Sequence, residues 1–199
     1  MFRTPDDYRV YLELLDDASR RCEVDLHGYV LMTNHVHLQA TPSSVSSLPI
    51  MMKRVGENYA RGFNRQYNRT GTLCEGRYRA SLIRDERYWL TCLRYLELNP
   101  VRAGLVPSPE LYRWSSYRAH ALGTQDRLVT LHPLFLSLGA TALDRQRAWR
   151  ETCSSPIDDD TLLTIRRAAN SSRPLTDFDE AGTATSRTAV IDSRIAPSV

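Results

Sequence analysis

A chain of 199 residues with 42% hydrophobic and 25% charged residues can bury one ordinary core with attached segments. No apolar run approaches the roughly 18 residues that a membrane helix needs, and Cys22, Cys74, Cys92 and Cys153 show neither C-x-x-C spacing nor a preceding secretory signal, so a cytoplasmic protein with reduced thiols is expected. Net charge is only +3, but residues 51–120 hold 13 Lys or Arg against 6 Asp or Glu, whereas residues 151–199 hold 5 against 8. The basic middle is interleaved with Tyr59, Phe63, Tyr67, Tyr78, Tyr88 and Trp89. That mixture suits phosphate contact and base stacking, and a solvated basic helix face equally.

Thr4-Pro5-Asp6-Asp7 reads as a helix start, with a hydroxyl cap, proline at the first helical position and acids at the positive end. Val10, Leu12, Leu14, Leu15 and Ala18 give this helix an apolar side as far as Arg21. A hairpin follows over 23–41: Val24, Leu26, Val30 and Met32 repeat with period two, and Thr33-Asn34 supplies a turn. After a Ser-rich connection, Leu48, Met51, Met52, Val55, Tyr59 and Phe63 recur at three and four, which predicts a long helix over 48–67 with Lys53, Arg54, Arg61 and Arg65 outward. Residues 72–83 resemble an irregular strand, and another helix is expected from Asp85 to Asn99, where Pro100 stops it. Leu134, Phe135, Leu136, Leu138, Leu162, Leu163 and Ile165 suggest one or two further helices around Asp158-Asp159-Asp160. From about Ser171 the composition reads as a disordered tail.

Two places carry chemistry. In Asn34-His35-Val36-His37-Leu38-Gln39 strict alternation puts both imidazoles on one strand face, where they can share a divalent ion; the alternative is a strand face with two polar residues. On the later helix Tyr88, Cys92, Tyr95 and Asn99 fall at spacings of four, three and four and line one side. A tyrosine one turn before an amide suits a nucleophile and an oxygen ligand, and Mg²⁺ or Mn²⁺ accepts a mixed nitrogen and oxygen shell. Taken alone, a tyrosine such as Tyr95 is more often a packed aromatic. His27 shares the hairpin and reads either with the histidine face or toward solvent. His120 and His132 read as surface residues, and Glu57 and Glu75 carry no assigned role.

The motifs Met32-Thr33-Asn34-His35-Val36-His37-Leu38, Gly71-Thr72-Leu73-Cys74-Glu75-Gly76-Arg77-Tyr78, Tyr95-Leu96-Glu97-Leu98-Asn99-Pro100-Val101-Arg102-Ala103-Gly104-Leu105 and Trp114-Ser115-Ser116-Tyr117 occur in this order. Over residues 2–170 the chain resembles the REP-associated tyrosine transposases, within the single-tyrosine HUH transposases. The resemblance implies an α+β, ferredoxin-like antiparallel sheet with helices on one face, in a transposase domain over 1–125, a helical extension over 126–170 and a tail over 171–199. It also implies cleavage and rejoining of single-stranded hairpin DNA through a 5′-phosphotyrosine. Matched by position, Tyr95 is the nucleophile, and His35, His37 and Asn99 hold Mg²⁺ or Mn²⁺. Arg54, Arg61, Arg65, Arg77, Tyr78 and Arg79 are candidates for DNA contact. A monomer or homodimer in the cytoplasm, at the nucleoid, is expected.

Thr33 and Cys74 depart from the family's proline and tryptophan. Relatives also begin with a strand of the type Tyr-His-Val-Thr ahead of the segment equivalent to Met1-Phe2-Arg3-Thr4, so a sheet strand is expected to be missing. A hairpin-DNA-binding module without catalysis is the second reading, and a domain with an incidental histidine pair is the third.

Overall fold

The computed structural model describes residues 2–73, 76–171, 175 and 188–194. Helix α1 spans Pro5–Arg21, and its start is closed by Asp7, whose carboxylate accepts from the backbone N–H groups of Arg3 (2.7 Å) and Thr4 (2.9 Å). Its buried stripe is Tyr11, Leu15 and Ala18, while Val10 points outward, one position off the expected apolar side. Helix α2 spans Ser47–Gln66 and buries Met51, Met52, Val55, Tyr59 and Phe63, the three-and-four set anticipated from the sequence.

Strands β1 (Val24–Leu31) and β2 (His35–Pro42) form the expected hairpin, closed at Met32, whose N–H donates to His35 O (2.8 Å). The pairing register shifts between Leu26 and Gly28, leaving His27 as the extra residue of a bulge. That shift breaks the unbroken alternation expected for β1. Val24 and Leu26 face the α1–α2 core, whereas Val30 and Met32 join a separate cluster with Leu96 and Tyr112. His27 is consequently neither solvent-facing nor beside His37: its ring nitrogens engage Thr130 O and Thr41 Oγ1, each at 2.8 Å.

The fold is α+β, with a four-stranded antiparallel sheet in the order β1-β2-β4-β3. Strand β3 is confined to Arg79–Leu82, shorter than the segment expected to be extended. Strand β4 is Ala189–Arg194 and lies between β2 and β3. This corrects the reading of residues 171–199 as a disordered tail: six of them form a strand bonded on both sides, and 172–174, 176–187 and 195–199 lie outside the described residues. An interior sheet position is thus filled from the far end of the chain.

Alternation along the strands sorts the sheet into two sides. Val36, Leu38, Ala40, Ala189 and Ile191 bury against α1 and α2. His37, Gln39, Val190 and Asp192 face the other way, toward α3 (Glu86–Glu97). Helices therefore flank both faces, a layer more than the expected single one. Gly28 permits the second layer, because a Cβ there would stand 2.3 Å from Leu93 Cδ1 of α3.

Helix α3 begins at the N-cap Asp85, whose carboxylate accepts from Arg87 N at 2.9 Å. The chain turns at Leu98 and continues as a single-turn helix α4, Asn99–Arg102. Pro100 thus does not end the helix at Asn99: lacking an N–H, it breaks the ladder just upstream and sits within the next turn, a position where no donor is needed. Helices α5 (Tyr117–Leu122), α6 (Pro133–Leu136), α7 (Ala142–Ser154) and α8 (Asp159–Ser171) complete the α3 side, where Phe135, Trp149 and Ile165 pack with Trp89 and Leu93. Among the described residues no helix is long and apolar enough to cross a membrane.

Candidate active site

The centre of the α3-facing sheet surface is polar. His35 and His37 project from β2 with ring centroids 4.6 Å apart and planes at 79°. His35 is half-buried, and its Nδ1 lies 2.8 Å from Asn34 Oδ1. An amide oxygen only accepts, so Nδ1 is the donor in this contact. His37 is 5% exposed, and its ring is 6.3 Å from that of Tyr95, at 70°. The structure therefore brings together the two histidines and the tyrosine.

Tyr95 is itself only 7% exposed, within the cluster of Trp89, Cys92 and Leu93. The Arg102 guanidinium lies 4.2 Å over its ring, and Arg102 Nη2 donates to Tyr95 O. Burial pushes Arg102 down to about 10, opposed by the attraction of Tyr95 and reinforced by the positive charges of Arg166 and Arg94. Asn99 is half-buried at the start of α4, four residues after Tyr95.

A buried polar cluster anchors the end of α3 two residues beyond Tyr95. Glu97, fully buried, accepts from Ser116 Oγ (2.6 Å), His120 Nδ1 (2.7 Å) and Trp149 Nε1 (2.8 Å). His120 is 1% exposed, which overturns its reading as a surface residue. His132 is half-buried, stacks on Trp89 with centroids 4.3 Å apart, and caps α6 by accepting from Leu134 N (3.2 Å). Burial holds its imidazole down at about 4. No local pattern distinguishes either histidine from an exposed one, since their partners come from distant segments.

The arginines do not all gather at this face. Arg54, Arg61 and Arg65 are exposed on α2, across the sheet from Tyr95, and Arg54 lies 3.6 Å from Asp17 of α1. Arg77 and Tyr78 line a cavity of about 1080 Å³ on that same side, with Lys53, Met52 and Tyr59. Of these candidates for DNA contact, Arg79 alone has a register position on the histidine side, opposite Asp192. Glu57 is exposed beside Lys53 (3.9 Å), and Glu75 lies outside the described residues.

Asp192 is the polar residue that sequence reading missed. It sits on β4 directly opposite His37 and is 5% exposed. The order of apolar and polar residues in Ala189-Val190-Ile191-Asp192 offers a short β signal, but no feature of that segment points to a histidine some 150 positions earlier in the chain.

The donor types present suit a divalent ion of mixed nitrogen and oxygen preference: two imidazoles on one strand face and an amide at the start of α4, the turn that follows the helix carrying Tyr95. Among the described residues no three His, Cys, Asp or Glu side chains converge closely enough to hold a metal alone. An amide, water or substrate oxygen is then needed to complete the shell. Comparison with known proteins returns no matching family model, no matching curated protein and no matching solved structure.

Proposed function

We propose that the chain is a single-tyrosine DNA strand transferase acting on single-stranded hairpin DNA, in keeping with its resemblance to the REP-associated tyrosine transposases. The observation that carries this reading is Tyr95 on α3 facing His37 on β2, with His35 beside it on the same strand face. His35, His37 and Asn99 would hold Mg²⁺ or Mn²⁺, which when bound supplies charge stabilisation to the scissile phosphate.

Tyr95 Oη attacks the phosphorus, a P–O bond to the tyrosine forms, and the P–O3′ bond breaks. The phenol loses a proton and the leaving 3′-oxygen gains one, so the products are a 5′-phosphotyrosine and a free 3′-hydroxyl. The ester link conserves the bond energy for rejoining, and no nucleotide cofactor is required. Arg102, stacked over the ring, favours the negative charge that develops on the phenol oxygen. Glu97 and its three donors hold the helix that presents Tyr95. Exposed Arg54, Arg61 and Arg65 and the cavity flanked by Arg77 and Tyr78 suit backbone and base contacts on the far side of the sheet. The protein works in the cytoplasm, at the nucleoid, as a monomer or homodimer.

A second reading, hairpin binding without cleavage, is favoured by one observation: His37 and Tyr95 are both nearly inaccessible. Incubation with a labelled single-stranded hairpin from the protein's own genomic flank, with Mn²⁺ or Mg²⁺, separates the two. A protease-sensitive covalent adduct that vanishes in Tyr95→Phe is the expected result. Tight binding with no adduct in either metal overturns strand transfer and favours the binding module.

A further inference from the structure

Three side chains stand in one row across the interior of the sheet. Register pairs His37 on β2 with Asp192 on β4, and Asp192 with Arg79 on β3. Residues opposed in this way project to the same face with Cβ atoms roughly 4.5–5.5 Å apart. Asp192 is buried there, and an ionised carboxylate in that setting is unfavourable unless donors or positive charge meet it. Its flanking neighbours in the row are both able to do so: an imidazole on one side and a guanidinium on the other. The rest of the strand is apolar where it is most buried, at Val190 and Ile191.

We infer that Asp192 is the positioning residue of His37: its carboxylate accepts from one imidazole nitrogen and thereby turns the other, lone-pair nitrogen toward the divalent ion. This rests on reading His35 and His37 as metal ligands. A carboxylate in this role sets the tautomer and orientation of a ligating histidine and raises its basicity. Arg79, on the opposite flank, offsets the carboxylate's charge. Because Asp192 belongs to β4, the metal-binding face is complete only when the strand from the far end of the chain is docked.

The test uses the full chain without DNA. Long-range ¹H–¹⁵N spectra of the imidazoles report the tautomer of His37 in the metal-free protein, and calorimetric titration reports Mn²⁺ affinity. In Asp192→Asn the His37 nitrogen pattern is expected to change and Mn²⁺ binding to weaken about 10- to 100-fold, while Arg79→Gln leaves the His37 pattern as it was. An unchanged His37 pattern in a folded Asp192→Asn protein overturns the assignment, even if Mn²⁺ binding weakens, since Asp192 would then act as a ligand. An altered pattern with unaltered Mn²⁺ affinity overturns it too. Should Asp192→Asn fail to fold, Asp192→Glu, which moves the carboxylate by one methylene, is read by the same two criteria. Wild-type protein that binds no Mn²⁺ overturns the metal reading, and the His37 spectrum then decides alone whether Asp192 orients the ring.

Discussion

Strands β2 and β4 are neighbours in the sheet, share an antiparallel register and each place a polar residue on the candidate site, yet their sequences differ sharply in what they disclose. Strand β2 follows its partner β1 after the short Thr33-Asn34 turn, and alternation of His35, Val36, His37 and Leu38 declares both its faces. Strand β4 begins at Ala189, whereas its partners β2 and β3 end at Pro42 and Leu82. Its pairing closes long loops, an entropic cost that nothing in the local sequence signals. It is nevertheless bonded on both sides and carries the fully buried Ile191. Strength of local signal and structural weight are independent properties of a strand.

The comparison breaks most severely at Ile191→Pro. Proline removes a ladder hydrogen bond from an interior strand as well as a buried side chain, so a loss of about 3 kcal/mol or more is expected in urea unfolding, with both sheet halves destabilised together. Survival of a full cooperative transition would show that β4 only decorates a sheet built by β1 and β2. Leu38→Ala and Ile191→Ala sharpen the same point, since both residues are fully buried in one cluster. Each should cost about 2–5 kcal/mol, and a near-zero cost at Ile191 alone would mark β4 as loosely docked.

Gly28→Ala probes the hairpin's contact with α3 rather than with β4. The added methyl meets buried Leu93, and a loss of about 1–3 kcal/mol in thermal or urea unfolding is expected. The smallest effect is pH-dependent and lies beside the bulge, where His132 packs against His27 with ring centroids 4.9 Å apart. Burial lowers His132 from 6.5 to about 4. The unfolded chain therefore binds the extra proton between those values, so this contribution is present above pH 6.5 and is lost as pH falls toward 4. Urea midpoints at pH 7 and pH 5 should differ less in His132→Gln than in the wild type; an equal difference would remove His132 as a source of the acid sensitivity.

Legibility of the site follows the same division. His35 and His37 were readable because period two is a local property, and Tyr95 with Asn99 because four residues nearly complete a helical turn. What remained hidden at these positions was again non-local. The bulge at His27 reverses which face Val30 presents, and it is held by Thr130 and Thr41. The burial of His120 depends on Glu97, and the break at Leu98 moves Asn99 onto a separate turn. The arginines of α2 were correctly read as outward, but which side of the sheet α2 covers is decided by packing.

The sequence by itself determined the helices α1, α2 and α3, the hairpin and the shared face of its two histidines, because each is written in spacings shorter than one element. Tertiary structure alone decided that β4 enters between β2 and β3, that Asp192 stands opposite His37, and that Tyr95 is covered rather than open. Those outcomes depend on apolar surface and backbone hydrogen bonds finding partners on other elements, more than a hundred positions away for β4, and periodicity within a segment carries no record of such a partner.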